Sequence, residues 1–179
     1  MAGVLILLSC TGEDTGVATV ERTSSACEAC GGACTLESVP SVGGEHDTGV
    51  IGYEDYPPTS GDHDPCWGTW GVHTEPLPPD RWVHNMEHGG VVFLYAAEAD
   101  PADIAAAAAL VEQLPEGRAI LTLATQSFDG TWAVVAWQWR LLADCYDGDA
   151  FAAFFDAHAG NGPEDAMSAP GDGCMDDTG

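Results

Sequence analysis

The chain has 179 residues, of which 29 are Asp or Glu and only 4 are cationic, all arginine, for a formal net charge of -25. So anionic a surface repels phosphate backbones and acidic headgroups, which excludes nucleic-acid binding and charge-driven membrane binding. A hydrophobic content of 45%, with six tryptophans and five phenylalanines to bury, excludes disorder along the whole chain.

Residues 1–9 form a short apolar run that ends in a small residue immediately before Cys10. The order Leu7-Leu8-Ser9-Cys10 resembles the lipobox of bacterial lipoproteins, in which the cysteine carries the lipid. That resemblance implies a signal peptide over 1–9, lipid attachment at Cys10, membrane association through that anchor, and a cell-envelope location facing the periplasm or exterior. The alternative is a hydrophobic start that is cleaved or buried; the run is too short to span a bilayer. Residues 10–26 are rich in Thr, Ser, Gly and acids, and read as a flexible lipidated tether.

Residues 27–44 are a Cys- and Gly-rich segment. Setting Cys10 aside leaves Cys27, Cys30, Cys34, Cys66, Cys145 and Cys174, an even number that suits three disulfides in an oxidising compartment, with the pairing open. The spacing Cys27-x-x-Cys30-x-x-x-Cys34 also admits a thiolate metal site, but no second closely spaced pair completes a zinc ribbon.

From 45 to about 90 the chain carries many turn signals, among them Pro57-Pro58, Ser60-Gly61, Asp64-Pro65 and Pro78-Pro79, and is expected to be mostly irregular. Regular structure is expected after Gly90. Val91 to Tyr95 is a continuous apolar run, read as a strand covered on both faces. Asp100-Pro101 starts a helix that Pro115 stops, with Ile104, Ala108, Val111 and Leu114 at helical spacing. Ala119 to Ala124 and Thr131 to Leu141 read as two strands around a turn at Phe128-Asp129-Gly130, and Asp149 to Ala159 as a second helix. The expected fold is therefore α+β: a small sheet of about three strands with two helices, preceded by a long irregular histidine-bearing segment, all within residues 45–166 and followed by an acidic tail over 167–179.

Five of the six histidines, at 46, 63, 73, 84 and 88, fall in the irregular stretch; the sixth, His158, lies on an apolar helix face where packing is the expected role. A transition metal bound through nitrogen needs two to four converging imidazoles, with carboxylate, thioether or water completing its shell. His84 and His88, four residues apart, share a face in a helix and also in an extended chain. The acids do not fall in a calcium-loop pattern, since Asp64, Asp100, Asp103, Asp147 and Asp149 lack the required spacing and closing glutamate.

The run from Tyr56 to His63, Y-P-P-T-S-G-D-H, and the run from Trp82 to Val92, W-V-H-N-M-E-H-G-G-V-V, resemble the bacterial domain-of-unknown-function family 3105. Glu45-His46 and Asn161-Gly162-Pro163-Glu164 are similar to an early histidine and a closing G-P-E motif of that family. The positions matching its motifs are His46, His63, His84, Glu87 and His88, and its members look like exported or membrane-anchored proteins; His73 departs from the pattern. The resemblance carries no activity.

The leading expectation is an exported, lipid-anchored protein that binds copper or zinc through His46, His63, His84 and His88, with Met86 and Glu87 as possible further ligands. Met86 would favour cuprous copper. One alternative is a structural or interaction lipoprotein whose histidines brace the loop by hydrogen bonds. Another is a metal-dependent hydrolase with Glu87 as general base, since His84-x-x-Glu87-His88 matches the inverted zinc-peptidase signature. Gly89-Gly90 closes any helix directly after that motif, so Glu87 is a weak catalytic candidate, and Ser60, without a nucleophile elbow around it, reads as a turn serine.

Overall fold

The computed structural model describes residues 21–25, 27–31 and 34–164. The expected signal peptide and lipid-attachment residue Cys10, together with Cys174 and the acidic tail, lie outside them. Three α-helices lie among the described residues against one seven-stranded sheet, which is larger than the expected three strands. In chain order the elements are β1 (Glu21–Ser25), β2 (Cys34–Ser38), β3 (Gly71–Val72), α1 (Pro79–Glu87), β4 (Val91–Tyr95), α2 (Pro101–Val111), β5 (Ala119–Leu123), β6 (Trp132–Ala136), β7 (Trp139–Ala143) and α3 (Gly148–His158). Across the sheet the order is β1-β2-β7-β6-β4-β5-β3. The β3–β5 and β4–β5 pairs are parallel and the others antiparallel.

The extra strands have identifiable causes. Residues 21–25, expected in the tether, pair with β2, and β2 pairs with β7. Disulfides Cys27–Cys34 and Cys30–Cys145 pin that corner to the end of β7, and Cys66 is disulfide-bonded as well. The single strand expected from Thr131 to Leu141 is instead β6 and β7, reversed at Trp137-Gln138, where Gln138 takes a left-handed φ of 65°. Gln138 is held there by its N–H on the Thr59 carbonyl at 2.8 Å and by the Val39 N–H on its own carbonyl at 2.8 Å. The strands read around the Phe128 turn do not pair with each other, because β4 lies between β5 and β6.

Both faces of the sheet are covered, as the unbroken apolar run of β4 implies. Val91 and Phe93 join Leu121, Trp132, Val134, Phe151, Phe154 and Phe155 in one core beneath α2 and α3. Their neighbours Val92 and Leu94 point the other way, into a second core with Ile120, Val135, Trp82, Val83 and Met86. That second core is what gives α1 its place, inside the segment expected to be irregular. Pro79 stands at the first helical position, where its missing N–H costs nothing. Fully burying side chains such as Trp82, Val83 and Met86 contributes roughly 1.5–3 kcal/mol each, enough to hold a nine-residue helix that would not persist alone.

Candidate metal centre

The helix α1 ends in a Schellman motif. Gly89, at φ 78°, donates to the Met86 carbonyl at 2.9 Å and Gly90 donates to the Asn85 carbonyl at 2.8 Å. The apolar side of α1 faces the second core, so His84, Glu87 and His88 in its last turn lie on the opposite side. The histidine-bearing segment crosses above them. There His46 and His63 form a parallel bridge, with His63 N–H on Glu45 carbonyl at 3.1 Å and Asp47 N–H on His63 carbonyl at 2.9 Å. The Asp62 carboxylate accepts the Gly44 and Glu45 N–H groups at 3.0 Å each, which holds its pKa below the usual carboxylate value. Ser60 Oγ accepts from the Val42 N–H at 2.9 Å, a structural role that fits its reading as a turn serine.

These elements bring His46, His63, His84 and Glu87 together, with one ligand atom from each lying within 4.8 Å of all the others. His63 Nε2 is 3.0 Å and His46 Nε2 3.7 Å from Glu87 Oε2. The three ring centroids are 4.8–5.0 Å apart. His63, His84 and Glu87 are buried, whereas the His46 side chain is 48% exposed and forms the open side of the group.

Two of the rings are fixed by their other nitrogen. His84 Nδ1 lies 2.8 Å from the Asp64 carbonyl and His63 Nδ1 lies 2.9 Å from the Gly61 carbonyl, so each must donate there. For His84 this leaves the lone pair on Nε2, 3.0 Å from His88 Nε2, and ligating imidazoles are oriented in the same way, by the hydrogen bond of the other nitrogen. Burial pushes the His84 pKa down to about 4, assisted by His63, His88 and His46 and opposed by the Asp64 carbonyl, so the ring is neutral at ordinary pH.

His88, expected in the same ligand set, belongs to a neighbouring one. It caps α1, its Nε2 lies 3.0 Å from His84 Nε2 with the two rings stacked, and it forms a second group with Glu87 and Glu164. Met86 is fully buried among Leu77, Trp82 and Val83 in the second core. His73 Nε2 donates to the Thr69 carbonyl, 2.8 Å away, and His73 is in neither group. His158 packs between Trp139 and Phe154, with centroids at 4.7 and 4.4 Å, as its apolar helix face suggests.

Three residues missing from the sequence-derived site shape it. Asn85, fully buried, makes a two-way bond with Gly68: its Oδ1 accepts the N–H at 2.8 Å and its Nδ2 donates to the carbonyl at 2.9 Å. The adjacent Trp67 is thereby set edge-on against His84 and His88, at 5.3 and 5.8 Å. Glu164 sits in the closing Gly-Pro-Glu motif, which was the available signal for it.

Taken together, the described residues include two His/Glu groups that can hold a metal ion. No curated protein and no solved structure matches the chain. A family model described as "Protein of unknown function (DUF3105)" matches residues 45–171, which takes in every residue of both groups, and the chain belongs to that family.

Proposed function

We propose that this is an exported, lipid-anchored protein that binds a transition metal ion, zinc or cupric copper, through His46, His63, His84 and Glu87. The observation that carries the reading is the convergence of three imidazoles and a carboxylate within 4.8 Å, with His63 and His84 each oriented by a backbone carbonyl on Nδ1. Tetrahedral zinc with bonds of about 2.0 Å needs donors roughly 3.3 Å apart, so the group closes on an ion by shifts of about 1 Å, most easily at half-exposed His46. The negative end of α1 and the anionic surface both favour a cation there. Cuprous copper loses its argument, because Met86 is committed to the core.

Bracing by histidine accounts for the bonds to the Gly61 and Asp64 carbonyls, but not for the convergence of the opposite nitrogens. A hydrolase would need Glu87 free as a base, and here it stands among the ligands. The anchor reading is supported by Leu7-Leu8-Ser9-Cys10.

Elemental analysis of untagged protein is the test: at least one equivalent of zinc or copper per chain is expected, and one equivalent fewer in the His63→Ala/His84→Ala double variant with the fold intact by circular dichroism. Metal retained at full stoichiometry in the folded double variant overturns this ligand set. For the anchor, Cys10→Ala should move the protein from the membrane fraction to the soluble one.

A further inference from the structure

We propose that Glu87, His88 and Glu164 form a second cation position, so that the centre holds two divalent ions with the Glu87 carboxylate shared between them. The inference rests on the metal-binding reading above and extends it. Glu87 is a member of both donor groups, and in the second group the ligand atoms of Glu87, His88 and Glu164 again lie within 4.8 Å of one another. His84 Nε2 and His88 Nε2, one from each group, are 3.0 Å apart. Two ions bridged by a carboxylate stand about 3.5–4 Å apart, a separation that neighbouring ligands at this spacing can serve.

The position of Glu164 is built into the backbone. Gly160 N–H donates to the Gly89 carbonyl at 2.8 Å and Glu164 N–H donates to the Glu87 carbonyl at 3.2 Å. Between them, a Cβ on Gly162 would fall 2.1 Å from the Glu87 carbonyl oxygen and 2.4 Å from the Gly89 nitrogen, so only glycine lets this segment lie against the end of α1. Such close seating has little purpose for the core, since residues 161–164 are not in either apolar cluster. It does place the Glu164 carboxylate 4.0 Å from His88 Nε2.

His88 also differs from the bracing histidines. His63 and His84 each spend Nδ1 on a carbonyl, whereas His88 Nδ1 is buried without a hydrogen-bond partner. Two carboxylates and one imidazole suit a divalent first-row ion, with water filling the remaining positions. The Glu164 side chain is 56% exposed against 7% for Glu87, so this is the outer, exchangeable position of the pair.

Zinc titration of the chelator-stripped, untagged full chain against a chromophoric competitor, with elemental analysis of the saturated protein, tests the proposal. The wild type should take two zinc ions, and His88→Gln and Glu164→Gln should each take one, with the tighter phase retained; Glu164→Gln alters an exposed side chain and leaves folding unaffected. Saturation of the wild type at one zinc, or two zinc ions retained in Glu164→Gln and His88→Gln alike, overturns the second position while leaving the first intact. No zinc in the wild type overturns the metal-binding reading itself.

Discussion

His63 Nε2 lies 3.0 Å from Glu87 Oε2 in a part of the site closed to water, and two such atoms hold that distance with a proton between them. The other ring nitrogen of His63 is already donating to Gly61. A cation entering the first group must therefore displace the shared proton, because it needs both the nitrogen lone pair and the carboxylate oxygen. Binding should release about one proton per inner ion. Calorimetry of zinc binding in buffers with different ionisation enthalpies measures this directly, and heats independent of buffer would contradict it.

His84 makes the metal-free fold sensitive to acid. Its folded pKa of about 4 is below the ordinary 6.5, so between those values the unfolded chain takes up a proton that the folded one refuses. The stability is fully present above pH 6.5 and is lost as pH falls toward 4. The thermal midpoint of the chelator-treated protein should decline across that window, and His84→Gln should flatten the decline. Asp62 titrates in the other sense of charge, its depressed carboxyl losing its contribution only as pH falls below the normal carboxylate range, so the two effects separate.

What the sequence made legible was whatever depended on local pattern. The apolar run of β4, the Asp100-Pro101 start of α2 and the aromatic face of α3 each announce themselves within a dozen residues. The parts that were not legible depend on distant chain. Gln138 turns the chain between β6 and β7 without a glycine or asparagine because Thr59 and Val39 hold it from outside. β1 and β2 are short strands that exist through pairing at the sheet edge and through disulfides to residues as far away as Cys145. α1 hid behind Pro78-Pro79, which reads as a turn and is in fact a helix start. At the site, the density of histidines was visible, but their division was not. Whether His88 joins His63 or Glu164 is decided by how residues 160–164 fold back onto α1.

The buried ion pair between Arg140 and Glu37 links the sheet to the site loop. These residues are register partners on β7 and β2, and the same guanidinium reaches Asp55 Oδ2 at 2.9 Å and the Pro57 carbonyl at 3.0 Å. Arg140→Ala withdraws the cation opposite a buried carboxylate, a loss of about 3–5 kcal/mol. Urea unfolding should show a lower midpoint, and because residues 55–57 lead into His63, metal affinity should weaken too. An unchanged midpoint would mean that the pair is not buried in solution.

Asn85 carries a different kind of load. Its side chain satisfies both backbone groups of Gly68, and neither of these reaches water at that depth. Asn85→Ala orphans one buried donor and one buried acceptor at about 1–3 kcal/mol each, so a loss of roughly 2–6 kcal/mol is expected in urea unfolding. Aspartate in its place keeps the shape and the acceptor but sets a carboxylate beside the Gly68 carbonyl, so Asn85→Asp should destabilise by a comparable amount. The two replacements part company at Trp67, whose edge lies on His84 and His88. In the alanine variant the loop carrying Trp67 loses both of its bonds to Asn85 and should loosen beyond disulfide-bonded Cys66, exposing the imidazoles and speeding zinc release in a stopped-flow chelator assay. In the aspartate variant the Gly68 N–H still has its acceptor, so release should stay closer to that of the wild type. Equal release rates in the two variants would show that Asn85 supports the fold without closing the site.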